Sequence, residues 1–78
     1  MIRSRFEELR HQKEEAEGRR LSVRTIAAEV KVSNGTIQRM KKGELDRIYI
    51  STLDKLCRYF GVKQVGDLIE YIAADIVE

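Results

Sequence analysis

VKVSNGTIQRMKKG, residues Val30 to Gly43, is the stretch whose conformation decides the fold. Asn34-Gly35 between runs containing Val and Ile is a strong local signal for a two-residue hairpin turn, yet the same residues can open a short helix. As a hairpin, Ser33 faces Thr36, Val32 faces Ile37 and Val30 faces Arg39, so the apolar side loses its partner after a single pair. As a helix capped by Ser33, Val32 and Ile37 form a hydrophobic staple and Ile37 and Met40 share one face. Lys41 and Lys42 then fall in the last turn before Gly43. A glycine in the first turn costs at most about 1 kcal/mol relative to alanine, which cap and staple offset. The helix is the better reading.

Outward from this stretch an apolar spacing of one helix face recurs. It runs through Val23, Ile26, Ala27 and Val30, through Leu53, Leu56, Cys57 and Phe60, and through Val65, Leu68, Ile69 and Ile72. Ile2, Phe6, Leu9 and Ala16 line a similar face in the charged first segment. Ser22 reads as an N-cap with Leu21 and Ile26 as its staple, and Ser51 begins STLD, a capping-box-like start. Gly18 and Gly61 stand where left-handed C-caps belong, and no proline interrupts any run. In GELDRIYI, Ile48 and Ile50 are expected inside, with Arg47 and Tyr49 exposed between them. The spacing predicts five helices and an all-α fold.

At 78 residues the chain is expected to form one domain, 1–78, with a core over about 5–72 and a tail at 73–78. One Cys and one His supply neither an internal disulfide nor a metal-ligand set, and nothing calls for a cofactor. No apolar run approaches a membrane span and MIRSRFEELR lacks a secretory core, so a reducing, cytoplasmic setting is expected. Net charge is only +2, but residues 21 to 50 carry six basic against three acidic side chains, and residues 51 to 78 three against five. His11 reads as a surface residue and Cys57 as a small core residue. Glu7-Glu8 and Glu14-Glu15 pair with cations at helical spacing. No nucleophile, base and orienting group assemble, so an enzyme is not expected.

A helix ending near Val30, a tight link at Lys31 and Val32, and a second short helix after Ser33 make a helix-turn-helix pattern. Ala27 allows close approach of the two helices. SVRTIAAEVKVSNGTIQRMKKG, followed by STLDKLCRYFGVKQVGDLIEYI, resembles the Cro/lambda-repressor-like helix-turn-helix family in its compact variety, over about Arg5 to Ile72. The resemblance implies a five-helix domain whose second and third helices form the reading unit and whose third enters the major groove. It puts the base-facing surface on Ser33, Asn34, Gly35, Thr36 and Arg39, with Gln38 beside them. Backbone clamping falls on Arg24, Lys42, Arg47 and Tyr49.

Three departures stand out. Val23 occupies the position where the family often has a phosphate-clasping Gln, a contact that Arg24 would have to supply. Lys31 replaces the usual turn Gly, at a cost of about 1–2 kcal/mol if its backbone is left-handed, and could reach a phosphate in compensation. KEEAEGRRL lengthens the first connection by an insertion at 14–20, which is expected to extend the first helix and bring Arg19 and Arg20 near the start of the second.

Arg39 can present two donors to guanine O6 and N7, and Asn34 can pair with adenine N6 and N7. Gly35 permits close backbone approach. Lys41 and Lys42 suit phosphates, or equally the negative end of the helix. The expected function is a sequence-specific transcriptional regulator of double-stranded DNA, a repressor in its simplest form. A homodimer would meet through the tail with Tyr71, Ile76 and Val77, although that tail could equally dock on its own core. The alternative is a protein-interaction module, such as an antitoxin or adaptor, contacting a protein partner through the acidic first helix or the tail.

Overall fold

Ile2, expected on the first helix face, lies instead in a strand. The computed structural model describes residues 1–73, in the order β1 (Ile2–Ser4), α1 (Phe6–Glu17), α2 (Val23–Val30), α3 (Asn34–Lys42), α4 (Ile50–Phe60), a 3-10 turn (Val65–Asp67) and β2 (Ile69–Tyr71). The fold is mostly helical, with four α-helices rather than five and a small antiparallel sheet, which corrects the all-α expectation.

The expected fifth helix fails for a physical reason. A short helix interrupted by Gly66 is marginal by itself, whereas Ile69-Glu70-Tyr71 suits an extended strand. The first residues of the chain supply its partner: Ile2 pairs with Tyr71, Arg3 with Glu70 and Ser4 with Ile69. Arg3 Nε meets Glu70 Oε2 at 3.1 Å, and the Arg5 N–H donates to the Leu68 carbonyl at 2.7 Å. Leu68 is fully buried by this arrangement, while Val65 and Ile72 of the expected helical face stay exposed. Tyr71 of the expected dimer contact is therefore a strand residue at 70% exposure, and Ile76 and Val77 lie outside the described residues.

Helix α1 is held by charge. Arg10 donates to Glu7 and Glu14 and also to the Leu21 carbonyl at 3.1 Å, while Glu14 Oε2 accepts the Leu21 N–H at 2.7 Å. Leu21, fully buried, is thus clamped at both of its peptide groups. Gly18, at φ 65°, caps the helix as expected. Ala16, assigned by periodicity to the inner face, is exposed, because the extension carries it beyond the core.

Phe6, Leu9, Leu21, Ile26, Ala27, Val30, Ile37, Met40, Leu53, Leu56 and Leu68 make one core. Phe6 meets Phe60 edge to face at 5.6 Å between ring centroids. Ser51 is not the cap of α4: the helix starts two residues earlier than that cap would place it, after Tyr49, and no side chain caps it. That shift leaves Ile50 78% exposed, against expectation, while Ile48 is half-buried and packs on the core. Cys57 is half-buried at the rim of the core, and burial pushes its thiol pKa up. Among the described residues no helix is long and apolar enough to cross a membrane.

Candidate nucleic-acid interface

Two Ser-x-x-Thr steps open α2 and α3. Ser22 Oγ accepts the Thr25 N–H and Ser33 Oγ accepts the Thr36 N–H, each at 3.1 Å, which satisfies one otherwise orphaned donor per helix. Between the helices, Lys31 takes φ 68° and ψ 48°. It is the only non-glycine at positive φ among the described residues. Its N–H and that of Val32 both donate to the Ala27 carbonyl, at 2.8 and 3.1 Å, so the left-handed residue closes α2 and turns the chain into α3 within three residues.

Helix α3 then divides into two faces. Ile37 and Met40 have no exposed surface and anchor it to the core, each worth about 1.5–3 kcal/mol of burial. Ser33, Asn34, Gly35, Gln38 and Arg39 are exposed on the other side, with Thr36 half-buried at the edge. Gly43, at φ 81°, ends the helix, and the Glu44 N–H donates to the Arg39 carbonyl at 2.9 Å. A nine-residue helix is about 13 Å long, and the major groove, about 12 Å wide, admits such a rod.

Arg24, Lys31, Lys41, Lys42, Arg47 and Tyr49 are all exposed, Tyr49 at 77%. Arg39, Arg47 and Tyr49 line one open concavity between α3 and the following loop. Lys41 and Lys42 belong to a second, smaller one, shared with β1. Neither concavity includes Arg24 or Lys31. Sequence reasoning missed Glu44 and Asp46, which share the first concavity with Arg39 and Arg47. The alternation in GELDRIYI covers only Arg47 to Ile50, and extended backward it would turn Glu44 and Asp46 inward, whereas both are exposed.

A second feature had no local signal. Arg19 donates to both carboxylate oxygens of Glu29, at 2.7 and 3.0 Å, and the Tyr59 hydroxyl donates to Glu29 Oε1 at 2.7 Å. Arg19 thus reaches the end of α2 rather than its start, and ties the extended first connection to α2 and α4. Hydrogen bonds from Arg19 and then Tyr59 hold the Glu29 pKa down at about 2. The Tyr59 pKa is pushed above the usual phenol range, first by burial and then by its bond to Glu29. His11 is exposed beside Glu7 and Glu14, a surface position as expected.

No group of three or more His, Cys, Asp or Glu side chains among the described residues could hold a metal ion. No curated protein and no solved structure matches the chain significantly. A family model described as a Cro/C1-type HTH DNA-binding domain matches residues 13–74, well over half of the chain and from within α1 to beyond β2. The chain belongs to the Cro/C1-type helix-turn-helix DNA-binding domain family.

Proposed function

We propose that this chain is a sequence-specific regulator of transcription that binds double-stranded DNA, acts as a repressor by covering promoter sites, and reads the major groove with α3. The observation that carries the reading is the division of α3, whose apolar face is sealed by Ile37 and Met40 while Asn34, Gln38 and Arg39 stand free. Ser33, Asn34, Gly35, Thr36, Gln38 and Arg39 would face base edges. Arg24, Lys31, Lys41, Lys42, Arg47 and Tyr49 would hold phosphates, which position the domain without selecting a sequence. A twofold dimer would read half-sites about 34 Å apart.

Selection of bound duplexes from a random pool tests the proposal. On the selected site Arg39→Ala should cost about 1–3 kcal/mol and relax one base pair, whereas Lys42→Ala should weaken all duplexes alike. Equal losses for Arg39→Ala on selected and random duplexes would falsify its reading role.

A second reading keeps the fold as a protein-interaction module, in the manner of an antitoxin or adaptor. It is supported by Ile50 and Val65, exposed apolar side chains on a concavity whose lining also includes Leu53, Cys57, Val62 and Ile69 beside Asp54, Arg58, Lys63 and Gln64. Duplex affinity that barely responds to salt would favour it, since phosphate binding releases counterions and is steeply salt-dependent.

A further inference from the structure

Arg39 stands where its guanidinium could go either of two ways. Across the concavity lie Glu44 and Asp46, and a carboxylate is ordinarily the stronger partner for a guanidinium. The side chain turns the other way. Nη2 lies 3.5 Å from Thr36 Oγ1, a long contact, and Nη1 lies over Gly35, where a Cβ would meet it in ordinary van der Waals contact at 3.7 Å. Among the described residues Arg39 makes no ion pair with either carboxylate.

Two features of α3 favour this posture. Helical side chains lean toward the N-terminus, which sets Arg39 over the turn containing Gly35 and Thr36. Gly35 leaves that turn bare, and Thr36 Oγ1 is itself held 2.9 Å from Ser33 Oγ. The result carries a cation toward the positive end of the helix with no anion beside it, a situation that acceptor atoms on a ligand would relieve.

Resting on the reading of α3 as the DNA-reading helix, we propose that Thr36 and Gly35 are positioning residues for Arg39. They keep its guanidinium displayed beside Ser33 and Asn34 and out of reach of Glu44 and Asp46. Specificity at the base pair facing Arg39 then depends on side chains that need not touch that pair.

The test is a double-mutant cycle on the duplex selected by the wild-type chain, with thermal melts verifying folding. Thr36→Val should lower discrimination at the base pair that Arg39→Ala relaxes by about two- to tenfold, the span of one ordinary hydrogen bond. Thr36→Ser should restore it. Gly35→Gln, whose side chain fills the bare turn, should lower the same discrimination. In the Arg39→Ala background Thr36→Val should have no further effect on discrimination at that base pair, whatever it does elsewhere in the site, because its influence there runs through the missing guanidinium. Full additivity, or failure of Thr36→Ser to rescue, overturns the proposal while leaving the DNA reading intact. If the wild-type chain selects no duplex, both fall together.

Discussion

Lys31 offers a perturbation in which stability and binding should move in opposite directions. Its backbone sits at φ 68° and ψ 48°, a conformation that costs an L-residue about 1–2 kcal/mol relative to right-handed geometry. Glycine removes that cost but adds about 0.4–1 kcal/mol of unfolded-state entropy. Lys31→Gly should therefore exceed Lys31→Ala in stability by roughly 1 kcal/mol, or about 4–8 °C in Tm for a domain of this size. Alanine is the right comparison because both variants lose the same ammonium and only one retains the strain. On the proposed DNA-binding function, both should lose affinity equally, with the logarithmic salt slope smaller by about one. Melting followed by circular dichroism and duplex titrations at several salt concentrations measure the two effects separately. A Lys31→Gly protein that melts at or below Lys31→Ala would mean that the turn does not hold residue 31 left-handed.

The caps and the core make further distinctions. Ser33→Ala should cost about 1 kcal/mol in urea denaturation, while Ser51→Ala, inside α4 and not capping it, should be neutral or slightly stabilising; similar losses for both would contradict the observed start of α4. Ile37→Ala should cost about 2–5 kcal/mol, a large share of the stability of so small a domain, whereas Ile50→Ala should stay within about 0.5 kcal/mol. Comparable midpoint shifts for the two would show that Ile50 is covered in solution. Glu29, with its folded pKa held at about 2 against about 4.3 unfolded, contributes stability that is fully present above pH 4.3 and lost as pH falls through 2. Glu29→Gln should therefore give a Tm that depends less on pH than wild type across that window, and an unchanged acid limb would remove Glu29 from the brace.

What the amino-acid sequence determined by itself is everything that closes within a few residues. Ser22 and Ser33 cap α2 and α3 through bonds to the N–H three residues on, and Gly18, Gly43 and Gly61 end their helices left-handed. The turn at Lys31 and the exposure of Asn34 and Arg39 follow from the same short-range geometry, so the helix-turn-helix was legible at once. The fate of residues 65–72 was not, because an apolar helical spacing there competes with pairing to Ile2–Ser4 at the far end of the chain, and local pattern carries no trace of that partner. Ile50 was misread because alternation was projected onto a residue that already belongs to α4.

At the candidate site the division falls in the same place. Residue types and spacing along α3 nominated the readers, but only the packed structure brings Arg39 into one concavity with Glu44, Asp46 and Arg47 and shows its guanidinium turned toward Thr36 instead. Likewise the bond from Tyr59 to Glu29 spans 30 residues, and its geometry depends on how α4 lies against α2. Capping and helical leaning are fixed by backbone neighbours. Which charges meet across a surface is decided by tertiary packing, because only packing fixes the distances on which their interaction depends.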